Sequence, residues 1–393
     1  MRRLFKILFW LILLLILAAG AAWWWAKPPA PPPFYAAPVP ADAAPGTLIR
    51  SEPLSAGIPP DARAWRILFV TRNRDGIPVL DSGVVMVGAN AAAPHPVVAW
   101  AHGTIGVLPG CAPSLQDDPL PHVPALQTLL DKGWAYVAAD YPGLGTGGVH
   151  GYLIGRDEGQ AVLDSVRAAR RLPGLKLSPQ TIVWGHSQGG HAALWTGIIQ
   201  PDYAPDVPLS GVAALAPATD LIELLRAAQA TPVGRILAAY LLVAYESAYP
   251  DMALDDQVQD HLTWLTRDMA TRCMAGPRAL VAAAIAALPV GTLLKRDPAD
   301  APLGMHLAAN TPAEPIAAPL FIGQGDADPL VLPGIQSRFI DTRCAAGQAL
   351  TYRLYAGRDH LSLVAPESPA SADLAAWTAA RFAGDPAPPG CNR

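Results

Sequence analysis

Thr181-Ile182-Val183-Trp184-Gly185-His186-Ser187-Gln188-Gly189-Gly190 is the stretch from which the rest of the chain can be read. β-branched and aromatic residues predict a strand over Thr181–Trp184, and a helical pattern follows over Gln188–Ile199. Between them stands Gly-x-Ser-x-Gly. A strand that turns straight into a helix at a serine is the context of a nucleophile elbow. The turn lifts the Ser187 hydroxyl above the sheet in a strained backbone conformation. Its flanking glycines leave room where a Cβ would strike neighbouring backbone.

A serine hydroxyl attacks poorly at neutral pH without a positioned base. With such an elbow the partners follow in the order Ser, acid, His. Gly325-Asp326-Ala327-Asp328-Pro329 comes after an expected strand, Ala318–Ile322, and Gly357-Arg358-Asp359-His360-Leu361 after another, Ala349–Tyr355. Both loops sit at carboxyl ends of strands, where open α/β sheets place their sites. His360 is the one histidine beyond the acidic loop and is read as the base; His186 and His191 belong to the elbow and its helix. Asp328 is read as the acid. Asp326 is the alternative, better suited to accepting backbone N–H groups in a turn. Acyl transfer also needs two donors for its oxyanion. One is expected from the N–H of Gln188, the other from Thr104 in the loop Ala101-His102-Gly103-Thr104, where His102 is read as structural.

Outward from the elbow the chain alternates. Ala64–Asn73 and Val79–Val87 read as a hairpin around Asn73-Arg74-Asp75-Gly76, and Pro96–Ala101, Trp134–Ala139 and Gly211–Leu215 as further strands. Helices are expected over Val123–Lys132, Asp157–Leu172 and Ala370–Ala383, with Val162, Val166 and Ala169 on one face of the second. The pattern implies an α/β fold: a mostly parallel sheet flanked by helices. The core is expected over 61–217 and 318–393. Residues 218–317 are helical in character and too long for a connection, so they are expected to form an inserted helical cap or lid. Within it, Ile236–Tyr245 and Ala279–Leu288 are unusually apolar. They suit a lid or acyl tunnel as well as plain cap packing, and are too short to span a bilayer.

The first 27 residues address the chain. Arg2, Arg3 and Lys6 precede an uncharged run, Ile7–Ala26, long enough for a bilayer core of about 30 Å. Trp23, Trp24 and Trp25 close it, as indoles do at a membrane–water interface. The positive-inside rule places everything after Lys27 on the outer side, here the periplasmic face of an inner membrane. The alternative is a signal peptide cut near Ala19, Gly20 and Ala21, leaving the body periplasmic or secreted. Residues 28–60, opening with Pro28-Pro29-Ala30-Pro31-Pro32-Pro33, read as a Pro-rich linker.

Ala101-His102-Gly103-Thr104, Asp140-Tyr141-Pro142-Gly143-Leu144-Gly145, Gly185-His186-Ser187-Gln188-Gly189-Gly190 and Gly325-Asp326-Ala327-Asp328 together resemble the secretory lipases of the fungal lipase A type and their bacterial relatives, over roughly residues 50–390. The resemblance implies an α/β-hydrolase fold and hydrolysis of carboxylic esters, often lipids, beneath a helical cap. It also implies an acid where Asp328 stands. The expected anchor departs from the freely secreted fungal members.

Export lets disulfides persist, and four Cys allow three pairings. Cys344 begins the approach to the last core strand and Cys391 lies beyond the final helix, so Cys344–Cys391 would clamp the C-terminus near His360. Cys111 follows the oxyanion loop and Cys273 lies in the cap, so Cys111–Cys273 would fix the cap over the site.

Composition narrows what remains. Of 393 residues 51% are hydrophobic, ample for a core, and the net charge of -4 excludes a globally basic nucleic-acid binder. No metal-binding or nucleotide-binding motif occurs, so neither metal nor cofactor is expected. The expected partners are a small ester or lipid and a membrane. A peptidase, thioesterase or acyltransferase could use the same triad, and a non-catalytic binding module could keep the fold.

Overall fold

The computed structural model describes every residue except 1, 121, 277, 289 and 290. Ten strands form one sheet: β1 (Leu48–Leu54), β2 (Ala62–Arg72), β3 (Pro78–Gly88), β4 (His95–Ala101), β5 (Ala135–Ala139), β6 (Leu177–His186), β7 (Leu209–Leu215), β8 (Leu320–Gly325), β9 (Leu350–Tyr355) and β10 (Cys391–Asn392). Their order is β1-β2-β3-β5-β4-β6-β7-β8-β9-β10. The first three strands run antiparallel to their neighbours, and pairing from β5 to β10 is parallel.

Central strands are buried on both sides, which is why they read as unbroken apolar runs. Val97, Ala99 and Val183 face one core with Val162, Val166 and Leu194 from helices α3 (Gly155–Ala169) and α4 (Gln188–Tyr203). Val98, Trp100, Ile182 and Trp184 face the other, with Leu129 of α2 (Leu126–Asp131) and Leu374 and Trp377 of a C-terminal helix, Pro369–Ala383. In register, Ala101 pairs with Gly185, His186 with Leu215, and Gly325 with Tyr355. The carboxyl ends of β4, β6, β7, β8 and β9 therefore share one edge.

Between β7 and β8 the chain forms α5 (Leu221–Ala228), α6 (Pro232–Ala248), α7 (Leu254–Gln257), α8 (Thr263–Ala270), α9 (Ala279–Ala286) and α10 (Leu303–Ala309). Ile236, Tyr240, Leu242, Tyr245, Met269 and Leu307 give this segment its own apolar core. Disulfides join Cys111 to Cys273 and Cys344 to Cys391, each with Cα atoms 5.4 Å apart. Closing loops of this size stabilises by about 2–4 kcal/mol.

The expectation of a linker over 28–60 needs correction. Residues 48–54 are β1, hydrogen-bonded antiparallel to β2. The alternating burial of a half-exposed edge strand leaves no continuous apolar run to read. Upstream, Tyr35 is buried and its hydroxyl lies 2.7 Å from Ser114 Oγ. Pro28 and Pro29 pack so closely on Gly110 that a Cβ there would meet the Pro29 carbonyl oxygen at 2.2 Å. The Pro-rich segment is thus laid against the body. A helix the sequence reading did not anticipate, α11 (Pro333–Ala345), precedes β9, and Pro369–Ala383 is α12. The N-terminal helix α1 (Arg2–Trp25) is 24 residues long with no buried residue.

Candidate active site

Ser187 sits at φ 58° and ψ −121°, a region an L-residue adopts only under constraint. The constraint comes from packing. A Cβ on Gly185 would come within 1.9 Å of the Gly189 carbonyl oxygen, and one on Gly189 within 1.9 Å of the Ala101 carbonyl oxygen. Both glycines are therefore obligatory, because β6 runs into α4 with the helix start pressed against the end of β4. Backbone bonds from Ser187 N to Leu215 O (2.9 Å) and from His191 N to Ser187 O (3.1 Å) hold the turn.

The loops after β8 and β9 meet at this turn. His360 Nδ1 lies 2.7 Å from Asp328 Oδ2, with the Asp328 side chain fully buried. Asp328 Oδ1 accepts the N–H groups of Leu330 (2.8 Å) and Val331 (2.9 Å), so the carboxylate cannot swing away. Asp326 stays exposed and accepts the Gly357 N–H at 2.7 Å. His186 ties the histidine loop to the elbow: its Nε2 lies 2.9 Å from the His360 carbonyl oxygen and the two rings are 4.6 Å apart. Burial, reinforced by His360, pushes His186 well below the usual histidine range, so it is a neutral Nε2–H donor.

Ser187 and Gln188 open onto a cavity of about 70 Å³ walled by Leu221, Leu225, Leu237, Leu241 and Leu330. Gln188 begins α4, where the first N–H groups have no partner within the helix. Thr104 is half-buried, with its Oγ1 2.7 Å from the hydroxyl of Tyr152, a residue that also lines the cavity. His102 is buried, with its ring nitrogens 2.7 Å and 3.0 Å from the carbonyl oxygens of Gly103 and Asp140. Tyr141 is buried between the rings of His102 and His150. Among the described residues, no group of three or more His, Cys, Asp or Glu is arranged to hold a metal ion.

One residue at this site escaped the sequence reading. Glu158, on α3, is completely buried behind the elbow. Its Oε1 accepts from Gln188 Nε2 (2.7 Å) and Leu153 N (3.0 Å), and its Oε2 lies 3.1 Å from His191 Nδ1. His191 Nε2 in turn faces the Asn310 carbonyl oxygen at 2.8 Å. Both ring nitrogens of His191 thus face acceptors. Burial alone would raise the Glu158 carboxyl, but hydrogen bonds and charge from His150 and His191 outweigh it and hold it at about 2. The signal was present: 158, 162, 166 and 169 fall on one helical face, so the apolar stripe of α3 contains a glutamate.

A family model described as secretory lipase matches residues 122–390. A "probable inactive lipase" of Mycobacterium tuberculosis is 28% identical over 377 residues, covering 88% of this chain and 80% of its own length. Lipase A of Moesziomyces aphidis is 27% identical over 181 residues, 43% of this chain and 38% of that protein. Among solved structures, the closed state of Candida antarctica lipase A superposes with a TM-score of 0.71 at 19% identity, covering 91% of this chain and 88% of that one. A rice cell wall degrading esterase from Xanthomonas oryzae gives 0.68 at 20% identity, covering 87% and 97%.

Proposed function

The chain belongs to the secretory lipase family and has the α/β-hydrolase fold; from that premise we propose that it hydrolyses carboxylic esters through Ser187, His360 and Asp328, exported and held at the membrane by α1. The observation that carries this reading is the fixed Asp328–His360 pair, tied through His186 to the elbow whose strained serine lines an apolar cavity. With Nδ1–H given to Asp328, His360 keeps the lone pair on Nε2 for the Ser187 proton. Ser187 Oγ attacks the ester carbonyl. The tetrahedral oxyanion is held by the N–H groups of Gln188 and Thr104. Collapse expels the alcohol, protonated by His360, and leaves an acyl ester on Ser187. Water, deprotonated by His360, then releases the acid.

The leucine walls suit an acyl chain, which favours an ester with an apolar acyl group over a peptide substrate. Fluorophosphonate labelling followed by a p-nitrophenyl ester series of rising acyl length tests the reading. Labelling confined to Ser187 and turnover rising with chain length are expected. The relative described as a "probable inactive lipase" makes a non-catalytic module the second reading, and absence of labelling would decide for it.

Glu158 serves here as a positioning residue, clamping the Gln188 side chain so that its backbone N–H is aimed. Glu158→Gln is expected to lower kcat by about 10-fold, short of the roughly 10²–10³ lost with an entire oxyanion donor, with KM within about twofold. The same residue shapes acid stability. Its folded value, about 2, lies below its ordinary 4.5. The stability it contributes is complete above 4.5 and lost as pH falls from there toward about 2. Tm of the wild type should therefore fall more steeply than Tm of Glu158→Gln across that window. Parallel curves would remove the charge from the account.

A further inference from the structure

Helix α9 inverts the usual amphipathic arrangement. Ala-Leu-Val-Ala-Ala-Ala-Ile-Ala contains no polar residue, and its buried positions, Ala282 and Ala286, face the rest of the helical segment. Leu280, Ala283 and Ala284, with Ala287 and Leu288 just beyond, form a stripe at i, i+3, i+4, i+7 and i+8 that faces outward. Leu280 is 74% exposed and Leu288 50%. A helix apolar all round is normally enclosed by protein or lipid.

The end of α1 is fastened at the same corner. Trp23 Nε1 donates to Asp268 Oδ1 at 3.1 Å, and the buried Arg272 pairs with that carboxylate at 2.8 Å while donating to the Trp23 carbonyl oxygen. The Arg278 guanidinium stands 5.5 Å from the ring of Trp25, two residues before Leu280. Trp264, one turn before Asp268 on α8, is 68% exposed. Lys27, 4.2 Å from the Trp23 ring, and Arg278, which adjoins α9 in sequence, add positive charge around the indoles that close α1. An apolar helix face with a basic margin suits an anionic lipid surface better than water.

We propose that the outward face of α9, with Trp264 and Leu288, lies in the interface of the same bilayer that α1 spans, giving the helical segment a second, lipid-facing contact. This rests on α1 being retained, as the functional reading has it. The geometric link is short: the indoles that mark where α1 leaves the hydrocarbon are bonded to the segment carrying the stripe, so its height above the bilayer is set. α9 packs on α6 through Arg235, whose Nη2 donates to the Ala286 carbonyl oxygen at 2.7 Å. Leu237 and Leu241 on α6 wall the cavity, so one helix layer separates the acyl pocket from lipid. Esters dissolved in the bilayer are the substrates such an arrangement serves.

The full chain should be placed in phosphatidylglycerol–phosphatidylethanolamine vesicles, with retention of α1 established first by N-terminal sequencing and resistance to carbonate extraction. An NBD label on Leu280→Cys is expected to be quenched by nitroxide lipids labelled near the headgroup, while one on Leu354→Cys is not. Leu280→Asp/Leu288→Asp should cut hydrolysis of a vesicle-borne ester at least fivefold and leave a short soluble ester within twofold. A retained anchor with an unquenched Leu280 label overturns the docking face alone. Quenching replaced by concentration-dependent contact between labels assigns the face to a second copy and overturns it as well. A cleaved N-terminus overturns both the tether and the docking.

Discussion

Ser187→Ala is expected to reduce ester turnover by about 10³-fold or more, with Tm and circular dichroism unchanged. The substitution removes only the attacking oxygen. The bonds that hold the elbow, Ser187 N to Leu215 O and His191 N to Ser187 O, are main-chain bonds that alanine keeps. The left-handed φ of 58° is imposed by the approach of α4 to β4, so alanine inherits the same strain. Residual hydrolysis should come from the oxyanion donors and the apolar cavity acting on water, which persist without a nucleophile. Turnover and burst amplitude with a p-nitrophenyl ester measure the effect. Burst kinetics near the wild-type level would remove Ser187 from the mechanism, whatever the fold.

The elbow and the loops of Asp328 and His360 are legible in the sequence because each is a local pattern: a β-branched run, a glycine-bounded serine, and acid and histidine loops behind apolar strands. Those signals survive because the central strands are buried on both faces. Where burial is one-sided or polar, the pattern fades. β1 shows alternating half-exposed residues at the sheet edge, among prolines, and so was absorbed into a linker. α11 buries Gln336 and Arg343 alongside Ile335 and Ile340, which leaves no clean apolar stripe. Glu158 was hidden for the opposite reason: its stripe is apolar and a charge there has meaning only once Gln188 and His191 are brought against it. The apolar run Ala279–Leu288 was visible in the sequence, but not that half of it faces outward. That depends on how α9 lies on α6.

Asp328 and Asp326 offer a sharp comparison, two residues apart in one loop. Asp328→Asn is expected to lower kcat by about 10³–10⁴-fold with little change in Tm. The amide oxygen can keep the Leu330 and Val331 N–H bonds now made by Oδ1, which leaves the amide nitrogen facing His360. Two donors cannot share one bond, so the ring must shift its proton to Nε2, where it can no longer accept from Ser187. The negative charge that steadies the imidazolium during acyl transfer is lost as well. Asp326→Asn should leave turnover within about twofold. Its exposed side chain need only accept the Gly357 N–H, which an amide oxygen does, and surface changes of this kind stay within about 0.5 kcal/mol. Steady-state kinetics on both variants, beside thermal melts, separate the roles. A crippled Asp326→Asn with an active Asp328→Asn would hand the acid to Asp326, and would mean that the 2.7 Å contact between Asp328 and His360 is not the one used in catalysis.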